Sequence, residues 1–257
     1  MPLLSFLQNI RRNWLRKQPF PPAWMEILVR HMPLCRRLPP EDQLRLQQDI
    51  QIFLAEKNFE GCNGLEIDDE IRVTIAATAC LLSLHLDSCC YPGLESIVVY
   101  PDSFVVKTER PGPAGTVIEN HEPRDGEAWP MGTIVLSWAH VRRETGIPGN
   151  GRNVVLHEFA HWLDQQDGDI SGSPELKSRA RYRSWARILG REYLKLIQAI
   201  EAGESTLIDE YGATDPAEFF AVATECFFEL PLDLRQFHPT LYRELQTFYR
   251  QDPAQFY

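Results

Sequence analysis

No stretch of this sequence approaches the roughly 20 consecutive apolar residues that a membrane helix requires. The best candidate, Ala76 to Leu86, is too short and contains Ser83 and His85. The amino terminus, Met-Pro-Leu-Leu-Ser-Phe-Leu, has no positive residue ahead of its apolar ones. That is the wrong order for a secretory signal, so a cytoplasmic protein is the default expectation. Basic residues are also in deficit: 26 Lys and Arg against 36 Asp and Glu give a formal net charge of -10. A nucleic-acid binder needs a basic face to displace counterions, so direct nucleic-acid binding is not expected, and with no spanning segment no membrane contact is expected either. The one basic cluster, Arg11, Arg12, Arg16 and Lys17, reads as a solvated helix face. Cys35, Cys62, Cys80, Cys89, Cys90 and Cys226 show no CxxC spacing, which argues against a disulfide framework or a cysteine zinc site. They read as reduced and mostly buried. Repeats and low-complexity tracts are absent.

What remains is the composition of a soluble globular protein, 257 residues long with 44% hydrophobic residues, enough for a sizeable core. Proline punctuates the first hundred residues and predicts helices over about Leu3 to Arg16, from Pro22, over Pro40 to Glu56, and after Asp68. The middle third switches to short β-branched runs at 97–100, 104–106, 116–118 and 133–136, the pattern of a small sheet. Between Arg110 and Trp129 proline, glycine and charge predict that part of the stretch is a mobile loop. Helices then return at Asn153 to Gln166, Pro174 to Ile200, Pro216 to Glu229 and Pro239 to Arg250. The expected fold class is α+β, mainly helical with a small mixed sheet, in a single compact unit over residues 1–257. Within it, residues 1–65 form an N-terminal helical region and 66–257 the core.

The chemistry concentrates in His157-Glu158-Phe159-Ala160-His161. Four-residue spacing on a helix puts both imidazoles on one face, one turn apart, where they can reach one ion. Glu158 is further round, placed to accept a proton from water on that ion rather than to bind it. Val154, Val155, Phe159 and Leu163 make this helix buried, and buried histidines need partners. Three carboxylates compete for the third ligand position. Asp167 lies six residues after His161, but Asp164 stands where a turn-forming glycine would be needed to aim it back. Glu218 has an ordinary reading as the third residue of a capping box after Asp215 and Pro216. Yet Phe219, Phe220, Ala221 and Val222 surround it with apolar bulk, where a carboxylate is costly without a cation. Glu225, two turns on, suits a partner that orients a ligand histidine. Tyr211 lies seven residues before Glu218, and a phenol beside a metal can donate to a developing oxyanion.

The chain resembles the Mlc titration factor A family of zinc metallopeptidases, of the HExxH-plus-Glu type, whose core is similar to the anthrax lethal factor protease domain. The resemblance covers nearly the whole chain. It is carried by 69–77, by 132–138, by His157 to His161 and by 211–221, in that order. It implies a zincin-like catalytic core with one zinc ion held by His157, His161 and Glu218. It further implies Glu158 as general base, Tyr211 as transition-state stabiliser, and aminopeptidase-like hydrolysis of peptide or protein substrates. A cytoplasmic location and binding to the glucose-responsive repressor Mlc are also implied. The alternative is a regulatory protein that sequesters a transcription factor, with vestigial peptidase activity. Thr133 to Ser137, alternating and just before the metal helix, is expected to be an edge strand that pairs with extended substrate.

Overall fold

Asp68 ends an extended segment and accepts a hydrogen bond from the Ile71 amide (2.9 Å), starting the helix on which the molecule is centred. The computed structural model describes residues 2–86, 90–111, 117–124, 126–129, 132–147, 149–168 and 170–257. For 2–5, 104–111, 117–124, 126–129 and 167 only the backbone is described. The central helix, α4 (Asp69–Ser83), follows α1 (Pro2–Leu15), α2 (Pro22–His31) and α3 (Pro40–Glu56). From Val73 to Ser83 every residue of α4 is buried, which fits a helix enclosed on all sides.

Strand β1 (Asn58–Gly61) precedes α4, and β2 (Ser96–Tyr100) follows it, so α4 is the crossover between two parallel strands. β2 pairs parallel with β6 (Thr133–Ser137), matching Ile97 with Ile134 and Val99 with Leu136. β5 (Gly126–Trp129) completes the sheet antiparallel to β6, in the order β1-β2-β6-β5. The fold is therefore α+β, mainly helical with a small mixed sheet. Thr133–Ser137 is not the edge strand that its alternation suggests. β5 covers it, and the edge on that side belongs to β5.

Strand runs through much of the stretch of which part was expected to be a mobile loop, and residues 112–116 and 125 lie outside the described residues. β3 (Phe104–Pro111) and β4 (Val117–Arg124) form a separate antiparallel ribbon, and β5 follows. Both strands of a two-stranded ribbon are edges, so it tolerates Pro111 and Pro123 and needs no apolar face. Thr116, expected at the start of a strand, lies outside the described residues.

Helices complete the chain: α5 (Trp138–Thr145), α6 (Val154–Asp164), α7 (Arg179–Glu201), α8 (Pro216–Glu229), α9 (Pro231–Phe237) and α10 (Pro239–Tyr249). The helix expected from Pro174 starts only at Arg179, capped by Ser178. α6 and α8 pack together, and α6 also lies on α4 and against β5 and β6. Behind α6, Phe159 meets Tyr91 (centroids 4.6 Å apart) and Phe53 (6.0 Å), fixing the helix from its buried side. Cys35, Cys80, Cys90 and Cys226 are buried, Cys62 is half-buried, and none of the five is in a disulfide. Cys89 lies outside the described residues. No described helix is long and apolar enough to cross a membrane.

Candidate metal centre

Both ends of α6 are anchored by side chains from elsewhere. At its start Asn153 caps the Leu156 amide (3.2 Å). Three carboxylates converge on the same turn: Glu225 accepts from the Asn153 amide (2.6 Å), Glu144 from the Val154 amide (2.8 Å) and Glu229 from the Asn153 side chain (3.0 Å). Negative charge is favourable at this end of a helix, where the amides are unsatisfied. Burial nevertheless pushes the carboxyls of Glu144 and Glu229 above the usual range. At the other end buried Asp164 accepts from the Gly172 amide (2.7 Å), while the Gly172 carbonyl accepts from Trp185 Nε1 (2.8 Å). Gly172 has φ +73°, and a Cβ there would sit 2.1 Å from the Pro216 carbonyl oxygen. Only glycine lets this loop press against the first turn of α8.

That first turn delivers Glu218. Asp215 accepts from the amides of Ala217 (2.8 Å) and Glu218 (3.0 Å), so the cap is complete without the Glu218 side chain. The carboxylate points into the interface with α6 instead of closing a capping box. Glu218 Oε2 lies 3.0 Å from His157 Nε2 and 3.2 Å from His161 Nε2, and the two nitrogens are 3.1 Å apart. These three atoms form a nearly equilateral triangle. A tetrahedral ion about 2.0 Å from each donor would hold them about 3.3 Å apart, so the residues fit a dication.

The proton inventory supports the same fit. Glu225 Oε1 lies 2.7 Å from His157 Nδ1, and a carboxylate can only accept, so Nδ1 carries the proton. His157 Nε2 then faces Glu218 Oε2 with room between them for a cation, either a second proton on the ring or a metal ion. Burial works against a charged His157, but the carboxylates of Glu218 and Glu225 outweigh it and hold its pKa well above the ordinary value. Burial likewise pushes Glu218 up, and the two imidazoles outweigh it, holding the carboxyl far below the usual range. The charge of buried Glu158 adds to the field on His157.

The remaining candidates lie on the 3-10 turns after α6 and before α8. Tyr211 sits on a 3-10 turn (Glu210–Ala213), half-exposed at the rim, and its hydroxyl donates to Glu218 Oε1 (3.3 Å). Asp209 starts that turn, accepting from the Tyr211 amide (2.9 Å), and is itself held by Arg152 beside the start of α6. Asp167 ends the 3-10 turn after α6, with Gly168 left-handed at φ +94°; its side chain lies outside what is described. Asn153, where the helix was expected to start, caps it, as its place just before the apolar run signals. The roles of Arg152, Asp164 and Gly172 were not foreseen. These have no local signature, because their partners are remote in the chain.

Residues 7–250 match the family model described as glucose-regulated metallo-peptidase M90. An uncharacterized protein of Synechocystis sp. is 42% identical over 245 residues, 95% of this chain and 89% of that protein. Mlc titration factor A of Enterobacter sp. is 33% identical over 252 residues, 96% of this chain and 93% of its own. Mlc titration factor A of Salmonella schwarzengrund is 34% identical over 235 residues, 90% and 87% of the two chains.

Proposed function

The chain belongs to the glucose-regulated metallo-peptidase M90 family, and we propose that it is a zinc-dependent peptidase, aminopeptidase-like and cytoplasmic. In this reading His157, His161 and Glu218 hold the ion, Glu158 is the general base and Tyr211 assists the transition state. The observation that supports it best is the triangle of donors, 3.0 to 3.2 Å on each side, with a protonated His157 Nδ1 behind it. Two nitrogens and one oxygen suit zinc, and three protein ligands leave a position open, as in catalytic rather than structural sites.

When bound, the ion supplies Lewis acidity, lowering the pKa of its water to about 7 and polarising the scissile carbonyl. The chain's own residues do the rest. Glu158 takes the proton as water attacks and returns it to the departing amine. Tyr211 turns its hydroxyl from Glu218 toward the carbonyl oxygen and donates to the charge that develops there. Glu225 holds the His157 ring in the tautomer that presents Nε2.

The test is metal content and peptide turnover of wild type and Glu158→Gln, measured side by side. We expect equal metal in both, and turnover lower in the variant by about 10²- to 10⁴-fold. Equal turnover would remove Glu158 from the mechanism, and a metal-free wild type that still cleaved peptides would remove the metal.

The name of the Mlc titration factor A relatives favours a second role, in which this chain binds a repressor of the Mlc type. The two roles part on the same variant. Glu158→Gln keeps the fold and the ion, so repressor binding by isothermal titration should be unchanged while hydrolysis is lost.

A further inference from the structure

Helix α1 is amphipathic in the wrong sense for a helix that packs on a core. Phe6, Leu7, Ile10 and Trp14 fall at spacings of three and four, one stripe on the helix, and each is 52–62% exposed. Among the described side chains of α1, none joins the hydrophobic core or packs against it. The helix is tethered by polar contacts instead. Arg11 donates to the Ala55 carbonyl (2.9 Å), Arg12 grips Glu56 through two nitrogens (2.7 Å each), and the Arg16 carbonyl accepts from Gln48 (3.1 Å). Arg11 and Arg12 meet the last two residues of α3 while Arg16 meets Gln48 about two turns earlier, so the two helices run antiparallel. Glu56 is the last residue of α3, and Phe6, Leu7 and Ile10 lie beyond the residue that contacts it. The apolar stripe overhangs the end of α3.

Charge narrows what covers it. Residues 1–25 contain Arg11, Arg12, Arg16 and Lys17 and no acidic residue, whereas the rest of the chain carries -14 (22 basic against 36 acidic residues). Among the described side chains, the other exposed large apolar ones do not form a second stripe: Leu44, Ile147, Ile170, Leu194, Tyr211 and Tyr257 lie on separate segments, and only Leu232 and Phe237 share an element, short α9. Pairing the stripe with its own counterpart on a second copy would bring two cationic, acid-free segments together, which charge disfavours. An apolar stripe rich in aromatics, within a cationic and acid-free segment, fits a bilayer interface bearing anionic headgroups. We infer that α1 is a surface anchor that lays Phe6, Leu7, Ile10 and Trp14 into an anionic membrane.

This departs from the expectation of no membrane contact, which rested on the lack of a spanning segment and did not address a helix lying in the interface. The placement leaves the metal centre accessible. α1 contacts the end of α3 that leads into β1, at one edge of the sheet, and α6 lies against β5 at the other. The inference stands independently of peptidase activity.

Flotation of the full chain with phosphatidylglycerol vesicles and with phosphatidylcholine vesicles tests it. Binding is expected to the anionic vesicles alone, weakening as salt rises. Phe6→Ser with Trp14→Ser should reduce it by at least about tenfold, and Arg16→Glu with Lys17→Glu should reduce it further from the charge side. All four positions lie outside the core, and an unchanged melting temperature checks that both variants remain folded. No binding to phosphatidylglycerol, equal binding to the two lipids, or full binding by Phe6→Ser with Trp14→Ser would each overturn the inference. So would a dimer, detected by light scattering, that the same double variant converts to monomer, since the stripe would then belong to a second copy.

Discussion

Glu192 on α7 and Glu218 on α8 are both largely buried carboxylates held against histidine, and they end in opposite situations. Glu192 accepts from His238 Nδ1 (2.9 Å), Lys195 Nζ (3.0 Å) and Arg191 (3.2 Å). Its charge is answered by two permanent cations on its own helix and an imidazole from the segment between α9 and α10. Glu218 meets two imidazoles and a phenol, with the carboxylates of Glu225 and Glu158 acting on the same His157. Neither cluster is unusual in residue type; they differ in where positive charge comes from. The first closes its own balance and works as a lock between helices. The second has no lysine or arginine among these partners, so its positive charge comes from what the imidazoles hold, a proton or a metal ion. Histidine beside glutamate is thus weak evidence for a metal, and the supply of lysine and arginine decides how to read it.

Replacing either glutamate should break this contrast in a different currency. Glu218→Ala removes one corner of the donor triangle, and zinc affinity by competition with a chromophoric chelator should fall more than about 100-fold, beyond what loss of an orienting partner costs. Asp167→Ala is the control and should leave the affinity nearly unchanged; the reverse pattern would move the third ligand to Asp167. Glu225→Gln keeps the size of the side chain but loses the charge that fixes the His157 tautomer. Affinity or turnover should drop by about 10- to 100-fold, with Glu225→Asp recovering part of it.

Smaller effects are expected where packing, not charge, sets the site. Gly172→Ala puts a methyl group 2.1 Å from the Pro216 oxygen at a left-handed backbone position, so α8 must move. A loss of about 1–3 kcal/mol in unfolding free energy should be accompanied by weaker zinc binding, because Glu218 rides on that turn. Unaltered metal affinity would mean the loop does not set the position of α8.

Glu192→Gln should leave metal and turnover untouched and cost about 1–2 kcal/mol, discounted because Lys195 and Arg191 are more than half exposed. Burial pushes the Glu192 carboxyl up, but His238 and Lys195 outweigh it and the net shift is downward. The stabilisation is therefore present above the unfolded carboxylate pKa, near about 4.3, and disappears as pH falls through the lower folded value. The melting-temperature gap between wild type and variant should close below about pH 4.

Much of the layout was legible from proline and capping residues. Pro40 to Glu56 and Pro216 to Glu229 were expected with the bounds they have, because a proline at the first turn and an acidic first turn are local signals. Thr133 to Ser137 was misplaced because alternation reports which side chains share a face, and not how many strands flank them. Within 110–129 the strands at 117–124 and 126–129 were foreseen only at Val117 and Ile118, because proline, glycine and charge report turns and not the strands between them.

The sequence by itself determined that two imidazoles share one face of a buried helix, with Glu158 just round from them. Four-residue spacing and apolar flanks are properties of a single helix and need no other part of the chain. Which carboxylate completes the set was left open among Asp167, Glu218 and Glu225, and packing decided the arrangement. Glu218 and Glu225 come from a helix about sixty residues further on (separations of 57 and 68). Glu218 reaches the rings because Asp215 relieves it of capping and Gly172 lets α8 approach, while Glu225 reaches the opposite side of His157. Such distances depend on how two helices dock, and no local pattern encodes that.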